Sequence, residues 1–146
     1  MPAPPFSVRL CGWDEARAEA RLIRERVFVR EQGVPLELEM DAWDARCDHA
    51  LARAAGGAAI GTGRLLPDGH IGRMAVLKEW RGKGVGAALL QALVDQARMR
   101  GHASARLNAQ ISATGFYRRY GFEASGPEFR EAGIAHVAME RKLAPA

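Results

Sequence analysis

Cysteine and histidine are scarce in this chain, and their spacing excludes several kinds of site. There are 2 cysteines, Cys11 and Cys47, and 4 histidines among 146 residues. No Cys-x-x-Cys or His-x-x-x-His pair occurs, and because such pairs are the usual signature of zinc, we expect no metal. Two isolated cysteines do not form a disulfide framework, so we expect reduced thiols and a cytoplasmic location.

Long apolar runs and low-complexity segments are also absent. No apolar stretch approaches the ~20 residues of a membrane-spanning helix, so we expect no membrane association. The start, Met1–Pro5, is rich in proline and lacks the apolar region of a signal peptide. No linker or repeat interrupts the rest, so residues 1–146 are expected to form a single domain with an ordered core over about 6–143.

The net charge is positive but dispersed. Lys and Arg total 21 against 17 Asp and Glu, which gives +4 and a sequence pI of about 9.6. The arginines of the first predicted helix alternate with acids and are expected to form a solvated face; they are Arg17, Arg21, Arg24, Arg26 and Arg30. Without a continuous basic stripe, a nucleic-acid partner is not expected, whereas a phosphate-rich small molecule needs fewer cations.

Hydrophobic periodicity predicts a mixed α/β fold. A helix is predicted from Asp14, as its N-cap, to about Glu31, because its apolar positions are spaced by four, three and four residues. Strands are predicted over residues 6–10, 49–55, 58–66, 70–76, 103–109, 122–124 and 134–142, with further helices from about 85 to 100 and from the cap Ser112 to Gly121. Tight glycine turns make the second, third and fourth strands an antiparallel meander.

A glycine-rich segment, Arg81-Gly82-Lys83-Gly84-Val85-Gly86, follows the fourth strand and opens a long helix. Glycines let several backbone N–H groups approach one ligand closely, and a helix N-terminus carries about half a positive charge. With Arg81 and Lys83 beside it, the segment predicts a pyrophosphate site.

Comparison of the glycine-rich segment with known nucleotide-binding patterns narrows the kind of nucleotide that it could bind. The Walker A pattern is absent. A dinucleotide-binding pattern is formally matched by Gly82, Gly84 and Ala87, but residues 105–109 lack the acid that would bind the ribose, which argues against NAD. A purely structural glycine turn is the other alternative.

A more specific match is carried by two segments. Arg81-x-x-Gly84-x-Gly86 resembles the pyrophosphate motif Gln/Arg-x-x-Gly-x-Gly/Ala of the GNAT superfamily of N-acetyltransferases, at its usual place between strand 4 and a long helix. Asn108 and then Phe116–Phe122 resemble the end of strand 5 and the Phe-Tyr-x-x-x-Gly-Phe helix of that superfamily. Two further stretches, Arg26–Pro35 and Gly133–Met139, look like its ElaA-like branch.

The resemblance covers nearly the whole chain and implies a fold, a co-substrate and a site. It implies a single-domain α/β fold with a mainly antiparallel sheet, splayed strands 4 and 5, and flanking helices. Acetyl-CoA would be the co-substrate, with its pantetheine arm in the gap between those strands. The implied cofactor-binding residues are Met74, Ala75, Val76, Arg81, Gly82, Lys83, Gly84, Val85, Gly86, Asn108 and Tyr117. The implied reaction is direct transfer of acetyl to the primary amine of a small molecule.

Tyr117 is the candidate acid for the departing thiolate. An unperturbed tyrosine has a pKa near 10 and is therefore protonated at neutral pH. A packing role is the alternative for Tyr117, and Tyr120 is then the other candidate acid. His136 and Glu31 are expected at the acceptor pocket, although His136 could instead be a buried core histidine. The acids between residues 37 and 48 would attract a cationic amine if they lined the pocket mouth.

Other functions of the same fold stay open. One is a non-catalytic acetyl-CoA sensor, against which the presence of both Asn108 and Tyr117 argues. Another is an acetyltransferase for protein lysines or N-termini, because the fold does not fix the acceptor. A homodimer is a further possibility that the resemblance suggests.

Overall fold

The computed structural model describes residues 5–36 and 41–145. The described helices are α1 (Trp13–Arg24), which continues as a π-helical segment (Glu25–Glu31), α2 (Val85–Met99) and α3 (Thr114–Arg119), with short 3-10 turns at Asp44–Arg46, Lys78–Trp80 and Ile111–Ala113. The strands are β1 (Phe6–Cys11), β2 (Asp48–Ala54), β3 (Ala59–Leu65), β4 (His70–Val76), β5 (Ser104–Gln110), β6 (Glu123–Glu131) and β7 (Ile134–Lys142).

All seven strands form one sheet in the order β1-β2-β3-β4-β5-β7-β6. Every neighbouring pair is antiparallel except β4 and β5, which are parallel. Those two strands pair only at His70 with Arg106 and at Ile71 with Leu107, and within the described residues they separate beyond that point. The predicted fold, with its antiparallel meander and its splayed fourth and fifth strands, is confirmed.

Each face of the sheet is covered by a helix whose apolar side follows from its sequence. The core side chains of α2, such as Val85, Leu89 and Leu93, pack on one face. Two glycines in β3 let α2 approach closely: a Cβ at Gly63 would lie 2.8 Å from Leu93 Cδ1. On the other face α1 buries small residues, of which Ala16 is fully buried.

Two predicted helix caps are wrong. Helix α1 begins at Trp13 with Gly12 as its N-cap, and no side chain caps it, so Asp14 lies within the first turn. There its carboxylate faces the positive end of the helix dipole, which also favours an acid. Ser112 lies in a 3-10 turn instead of capping α3, where the Thr114 hydroxyl donates to the Ile111 carbonyl at 2.9 Å.

Strand β6 is much longer than the predicted strand at residues 122–124. Its residues Ser125-Gly126-Pro127 have turn-forming character, which is why sequence periodicity ended the strand early. In the structure a register shift between Ala124 and Glu128 absorbs these residues, and pairing with β7 resumes from Glu128 to Glu131. The long hairpin places Glu131 and the start of β7 beside the open gap in the sheet.

Candidate active site

A cavity of about 760 Å³ opens where β4 and β5 separate. Its walls come from β4, β5, α3, β7 and the π-helical segment. Five residues predicted for the site lie together on its lining, namely Met74, Ala75, Val76, Asn108 and Tyr117, and so do Arg81, Gly86 and His136. The tertiary fold therefore gathers residues that are up to 62 positions apart in the chain, from Met74 to His136.

A β-bulge shapes the β4 side of this cavity. Thr62 pairs with Ala75 and Arg64 with Gly72, so Arg73 and Met74 together oppose the single residue Gly63. Arg73 has a φ of +51°, a left-handed conformation that is uncommon outside glycine. Bulges of this kind bend a strand and redirect its backbone groups. The edge of β4 beyond Ile71 is not paired with β5 and is available to an extended ligand that adds as a strand.

The glycine-rich segment lies at one end of the gap. Gly82 and Gly84 have φ values of +75° and +86°, and Gly84 is the N-cap of α2 with no side-chain cap. A Cβ at either glycine would meet nothing within 4 Å, so backbone conformation, and not packing, requires glycine there. The first N–H groups of α2 have no partner within the helix, an arrangement that favours an anion at this helix end.

A second, smaller hollow of about 400 Å³ adjoins this helix end. Besides the glycine segment it is lined by Trp80, Arg119 and Tyr120. Lys83 lies with its Nζ 5.2 Å from the centroid of the Trp80 ring, a cation–π distance. The sequence did not indicate Arg119, because only the fold brings α3 next to the start of α2.

Arg81 joins three parts of the site. Its Nε donates to the Val76 carbonyl at 3.0 Å, and its two terminal nitrogens lie 2.9 and 3.0 Å from the carboxylate oxygens of Glu31. This bidentate ion pair connects the end of β4 to the end of the π-helical segment. Glu31, predicted at the acceptor pocket, is not among the described residues that line the cavity, and its carboxylate is held by Arg81.

Tyr117 and Tyr120 occupy different hollows. Tyr117 lines the large cavity, whereas Tyr120 lines the smaller one beside the glycine segment. The Tyr117 ring packs edge-on against Phe116 and Phe122, with centroid distances of 5.1 and 6.1 Å. Burial raises the pKa of Tyr117 to about 12, so the phenol is protonated at neutral pH. This favours Tyr117 over Tyr120 as a proton donor in the cavity.

His136 lies on β7 where that strand borders the cavity. Its side chain is buried, with 7% of the residue exposed, and its Nδ1 is 2.7 Å from the Ile134 carbonyl. Its Nε2 is 3.6 Å from Glu131 Oε2. The predicted alternative of a core histidine is partly right, because His136 is buried, but it also lines the cavity.

A buried cluster of charges supports the part of the cavity wall that Asp41, Arg64 and Arg73 form. Arg24 is fully buried, and its guanidinium binds both carboxylate oxygens of Asp44 at 2.9 and 3.0 Å. Arg64 binds Asp44 at 2.9 Å and Asp41 at 2.7 and 2.8 Å. Arg73 reaches Asp41 at 3.3 Å. The hydrogen bonds and charge of Arg64, with the charge of Arg73, hold the pKa of Asp41 below its ordinary value despite partial burial.

This cluster corrects two expectations. Arg24 does not belong to a solvated face; it lies four and eight residues after Ala20 and Ala16, on the buried face of α1, and that spacing was the available signal. The described acids of the loop are neutralised by arginines, since Asp48 also pairs with Arg100 at 2.8 Å. They do not form an uncompensated negative wall. Glu37 and Glu39 lie outside the described residues.

The arrangement defines a class of protein. A seven-stranded sheet that splays at its one parallel pair, with a glycine-rich helix N-terminus at the gap, matches the fold of acyl-CoA-dependent acyltransferases. An acyl-CoA N-acyltransferase from Pseudomonas aeruginosa superposes with a TM-score of 0.83 at 27% identity, covering 93% of this chain and 99% of that chain. ElaA of Escherichia coli has the same fold, with a TM-score of 0.83 at 23% identity, covering 94% and 99%.

The family follows from the sequence comparisons. Residues 20–143 match the family described as the acetyltransferase (GNAT) domain. The uncharacterised N-acetyltransferase YjcF of Bacillus subtilis (strain 168) is 38% identical over 130 residues, covering 86% of this chain and 92% of YjcF. This chain therefore belongs to the GNAT acetyltransferase family and is an acyltransferase.

Neither a membrane-spanning helix nor a metal-binding cluster is found in the described part of the chain. In the parts of the chain that the structure describes, no helix is long and apolar enough to cross a membrane. Among residues 5–36 and 41–145, no group of three or more His, Cys, Asp or Glu side chains is arranged to hold a metal ion.

Proposed function

We propose that this protein transfers an acetyl group from acetyl-CoA directly to the primary amine of a small molecule. One observation carries the proposal: a free strand edge, an uncapped glycine-rich helix N-terminus and a protonated tyrosine meet at one gap in the sheet. Each feature serves one part of the proposed reaction of acetyl-CoA. The strand edge would guide the extended pantetheine arm, the helix N-terminus would bind the pyrophosphate, and the tyrosine would act as the acid.

The pantetheine arm is proposed to lie along β4, with its amides bound by backbone groups of Met74, Ala75 and Val76. A backbone N–H near Ala75 or Val76 would polarise the thioester carbonyl, and one such donor is typically worth ~3 kcal/mol in the transition state. Asn108 lies on the β5 side of the same gap.

The pyrophosphate is proposed to bind at the start of α2. Backbone N–H groups of Gly82, Lys83, Gly84, Val85 and Gly86 would supply the hydrogen bonds there. The ion pair of Arg81 and Glu31 holds the π-helical segment against the end of β4. Because that segment borders the acceptor side, the two residues act on the site together. Glu31 is therefore proposed to influence acceptor binding through Arg81.

Tyr117 is proposed to protonate the departing thiolate. Its phenol faces the cavity and remains protonated through the neutral range, since burial raises its pKa to about 12. Neither cysteine offers a route through an acetyl-cysteine: burial raises the pKa of Cys11 and of Cys47 to about 11, which suppresses the nucleophilic thiolate. The proposed reaction is therefore a direct attack of the amine.

Hydrogen bonds that close off the acceptor side of the cavity favour a small amine over a protein lysine as the acceptor. The side-chain amides of Gln32 and Gln110 exchange two hydrogen bonds, at 3.0 and 3.3 Å, and so join the π-helical segment to the end of β5. Both residues line the cavity.

Within the family, the stretches Arg26–Pro35 and Gly133–Met139 support placement in the ElaA-like branch.

The test combines binding and turnover. Acetyl-CoA at about 100 times its Kd adds about 2.7 kcal/mol to the free energy of unfolding, which for this size is a rise in Tm of roughly 8–10 °C. NAD and ATP should stabilise far less. Free-thiol release from acetyl-CoA is then measured with benzylamine, tyramine, spermidine and lysine methyl ester, and we expect turnover with at least one of them.

A matched pair of glycine variants checks the phosphate site. Gly84→Asp puts a carboxylate where the pyrophosphate would lie and should abolish the stabilisation by acetyl-CoA. Gly101→Asp is the control, because Gly101 has the same φ of +86° and similarly open surroundings, but at the other end of α2. Equal stabilisation by NAD, or an unchanged acetyl-CoA effect in Gly84→Asp, would refute the assignment.

A further inference from the structure

The tautomer of the His136 ring is fixed by its backbone partner. Nδ1 lies 2.7 Å from the Ile134 carbonyl oxygen, and because a carbonyl only accepts hydrogen bonds, Nδ1 must carry the proton. In the neutral ring the lone pair is therefore on Nε2. The side chain is 9% exposed and lines the same cavity as Tyr117. A buried imidazole whose Nε2 is not the nitrogen bonded to the backbone thus borders the space where the two substrates would meet.

Among the residues that the structure describes, one ion-pair contact is formed by the His136 ring, and its partner is Glu131. The residues paired with it on the two neighbouring strands are Gln110 of β5 and Phe129 of β6, neither of which titrates. Phe129 stacks on the imidazole with a centroid distance of 5.8 Å. The Glu131 carboxylate is 3.6 Å from Nε2, and its side chain is 52% exposed. The other titratable or charged side chains of the cavity lining are Asp41, Arg64, His70, Arg73, Arg81 and Tyr117.

We infer that His136 is the general base of the reaction and that Glu131 stabilises the imidazolium it becomes. The inference rests on the proposed acetyl transfer. As the amine nitrogen bonds to the acetyl carbon, its proton passes to Nε2; the carbon–sulfur bond then breaks, and the thiolate takes the Tyr117 proton. The imidazolium then releases its proton to solvent past the half-exposed Glu131, and the Tyr117 phenolate takes up a proton from solvent. The net products are the amide and the free thiol.

The other carboxylate on the described lining is a poorer candidate. Asp41 accepts two hydrogen bonds from Arg64 and one from Arg73, which leaves its oxygens engaged and lowers its pKa. A carboxylate held in this way is a weak proton acceptor. In His136 the nitrogen that holds the lone pair of the neutral ring, Nε2, lies 3.6 Å from the Glu131 carboxylate, and imidazole is the side chain best suited to proton transfer near neutral pH.

His136→Asn is the sharpest variant, because its Nδ2 can still donate to the Ile134 carbonyl while the basic Nε2 is removed. With the best amine of the four tested, kcat/KM should fall by roughly 10²- to 10⁴-fold, while stabilisation by acetyl-CoA stays unchanged. Added imidazole should partly restore His136→Ala, which a packing role would not allow. If the wild-type protein turns over the amine and His136→Asn does so with the same kcat/KM, the assignment of the base is overturned and the proposed function stands.

Glu131→Gln tests the positioning role through the pH profile. The amide no longer stabilises the imidazolium, so the acid limb of the kcat/KM profile should move to lower pH. Glu128→Gln, on the same strand but outside the cavity lining, is the control and should leave the profile in place. An acid limb that stays in place or moves to higher pH in Glu131→Gln would contradict the assignment.

An independent measurement needs no acceptor. NMR of isotope-labelled histidine, with the His136 ring assigned by its absence in His136→Asn, should show that the neutral form of the ring carries its proton on Nδ1. A proton on Nε2 would overturn the inference whatever the enzyme does. If wild-type protein releases no thiol from acetyl-CoA with any amine, the proposed function fails, and the base assignment falls with it.

Discussion

The buried charge cluster of Arg24, Asp41, Asp44 and Arg64 leads to a strong prediction about stability. Asp44 is 2% exposed and receives hydrogen bonds from Arg24, which is fully buried, and from Arg64, which is 5% exposed. Asp44→Asn keeps the size of the side chain and removes its charge. Two buried guanidinium groups then lose the carboxylate that lies between them, although Arg64 keeps Asp41.

The magnitude follows from that burial. Removing one partner of a buried ion pair destabilises by about 3–5 kcal/mol, because the remaining charge has already lost its water. Since Arg64 retains one carboxylate, we expect the lower part of that range, about 3 kcal/mol. For a domain of this size this corresponds to a fall in Tm of roughly 10 °C.

Asp48→Asn is the matched control. Asp48 is the first residue of β2, four positions after Asp44, and also binds an arginine bidentately, with distances of 2.8 and 3.0 Å, but that arginine, Arg100, is 58% exposed. A pair of this kind contributes at most about 1 kcal/mol. Asp48 also accepts a hydrogen bond from Gln96 at 3.1 Å. The two variants thus differ in burial and in the number of arginines that lose a carboxylate, which is two for Asp44 and one for Asp48.

The effect of Asp44→Asn should also depend on pH. Desolvation raises the pKa of Asp44, but hydrogen bonds and charges from Arg24 and Arg64 outweigh it, so the folded-state pKa lies below the ordinary 3.8. A lowered folded-state pKa stabilises the protein above the unfolded-state pKa, and this contribution is lost as pH falls through the folded value. The difference between wild type and Asp44→Asn is therefore largest at neutral pH and shrinks below about pH 4.

Urea unfolding at neutral and acidic pH measures both effects. We expect a change in the midpoint with an unchanged slope, which indicates altered stability without altered compactness. If Asp44→Asn and Asp48→Asn cost the same within about 1 kcal/mol at neutral pH, burial does not decide the strength of this pair and the reasoning is wrong.

Two further predictions concern Tyr117, the candidate acid, and the hairpin beside the cavity. Tyr117→Phe removes only a hydroxyl, so turnover should fall by roughly 10- to 10⁴-fold while the acetyl-CoA effect on Tm persists; full activity in this variant with loss in Tyr120→Phe would move the acid role. Ala132 has a φ of +50°, and because asparagine adopts that conformation more readily, Ala132→Asn should raise the free energy of unfolding by about 0.5–1 kcal/mol in urea. A loss of stability in Ala132→Asn would show that its backbone conformation is not strained.

Much of the fold could be predicted from the sequence because its signals are local. The glycine turns, the alternating strands and the apolar face of α2 each depend on neighbouring residues, and the predicted bounds of β4 and β7 agree with the structure. The Arg81–Gly86 segment is equally local, since a helix N-terminus and its glycines lie together in the chain. That is why a pyrophosphate site could be predicted there before the fold was known.

Capping and edge pairing could not be read in the same way. Ser112 has good capping chemistry, but the chain turns through Ile111–Ala113 before α3 begins, so the hydroxyl is not at the helix start. Strand β6 forms across Ser125-Gly126-Pro127 because β7 offers it a long partner. For β6, pairing with the neighbouring strand overrides the local preference.

The sequence by itself determined the family, the glycine-rich helix start and the candidate acid Tyr117, because each is carried by residues close together in the chain. Only the tertiary structure decided which charges are buried and which groups face the cavity. Arg24 and Asp44 are 20 residues apart and meet only because α1 and the loop before β2 pack on the same face of the sheet. The pairing of His136 with Glu131 likewise depends on the β6–β7 hairpin, whose register the sequence did not specify.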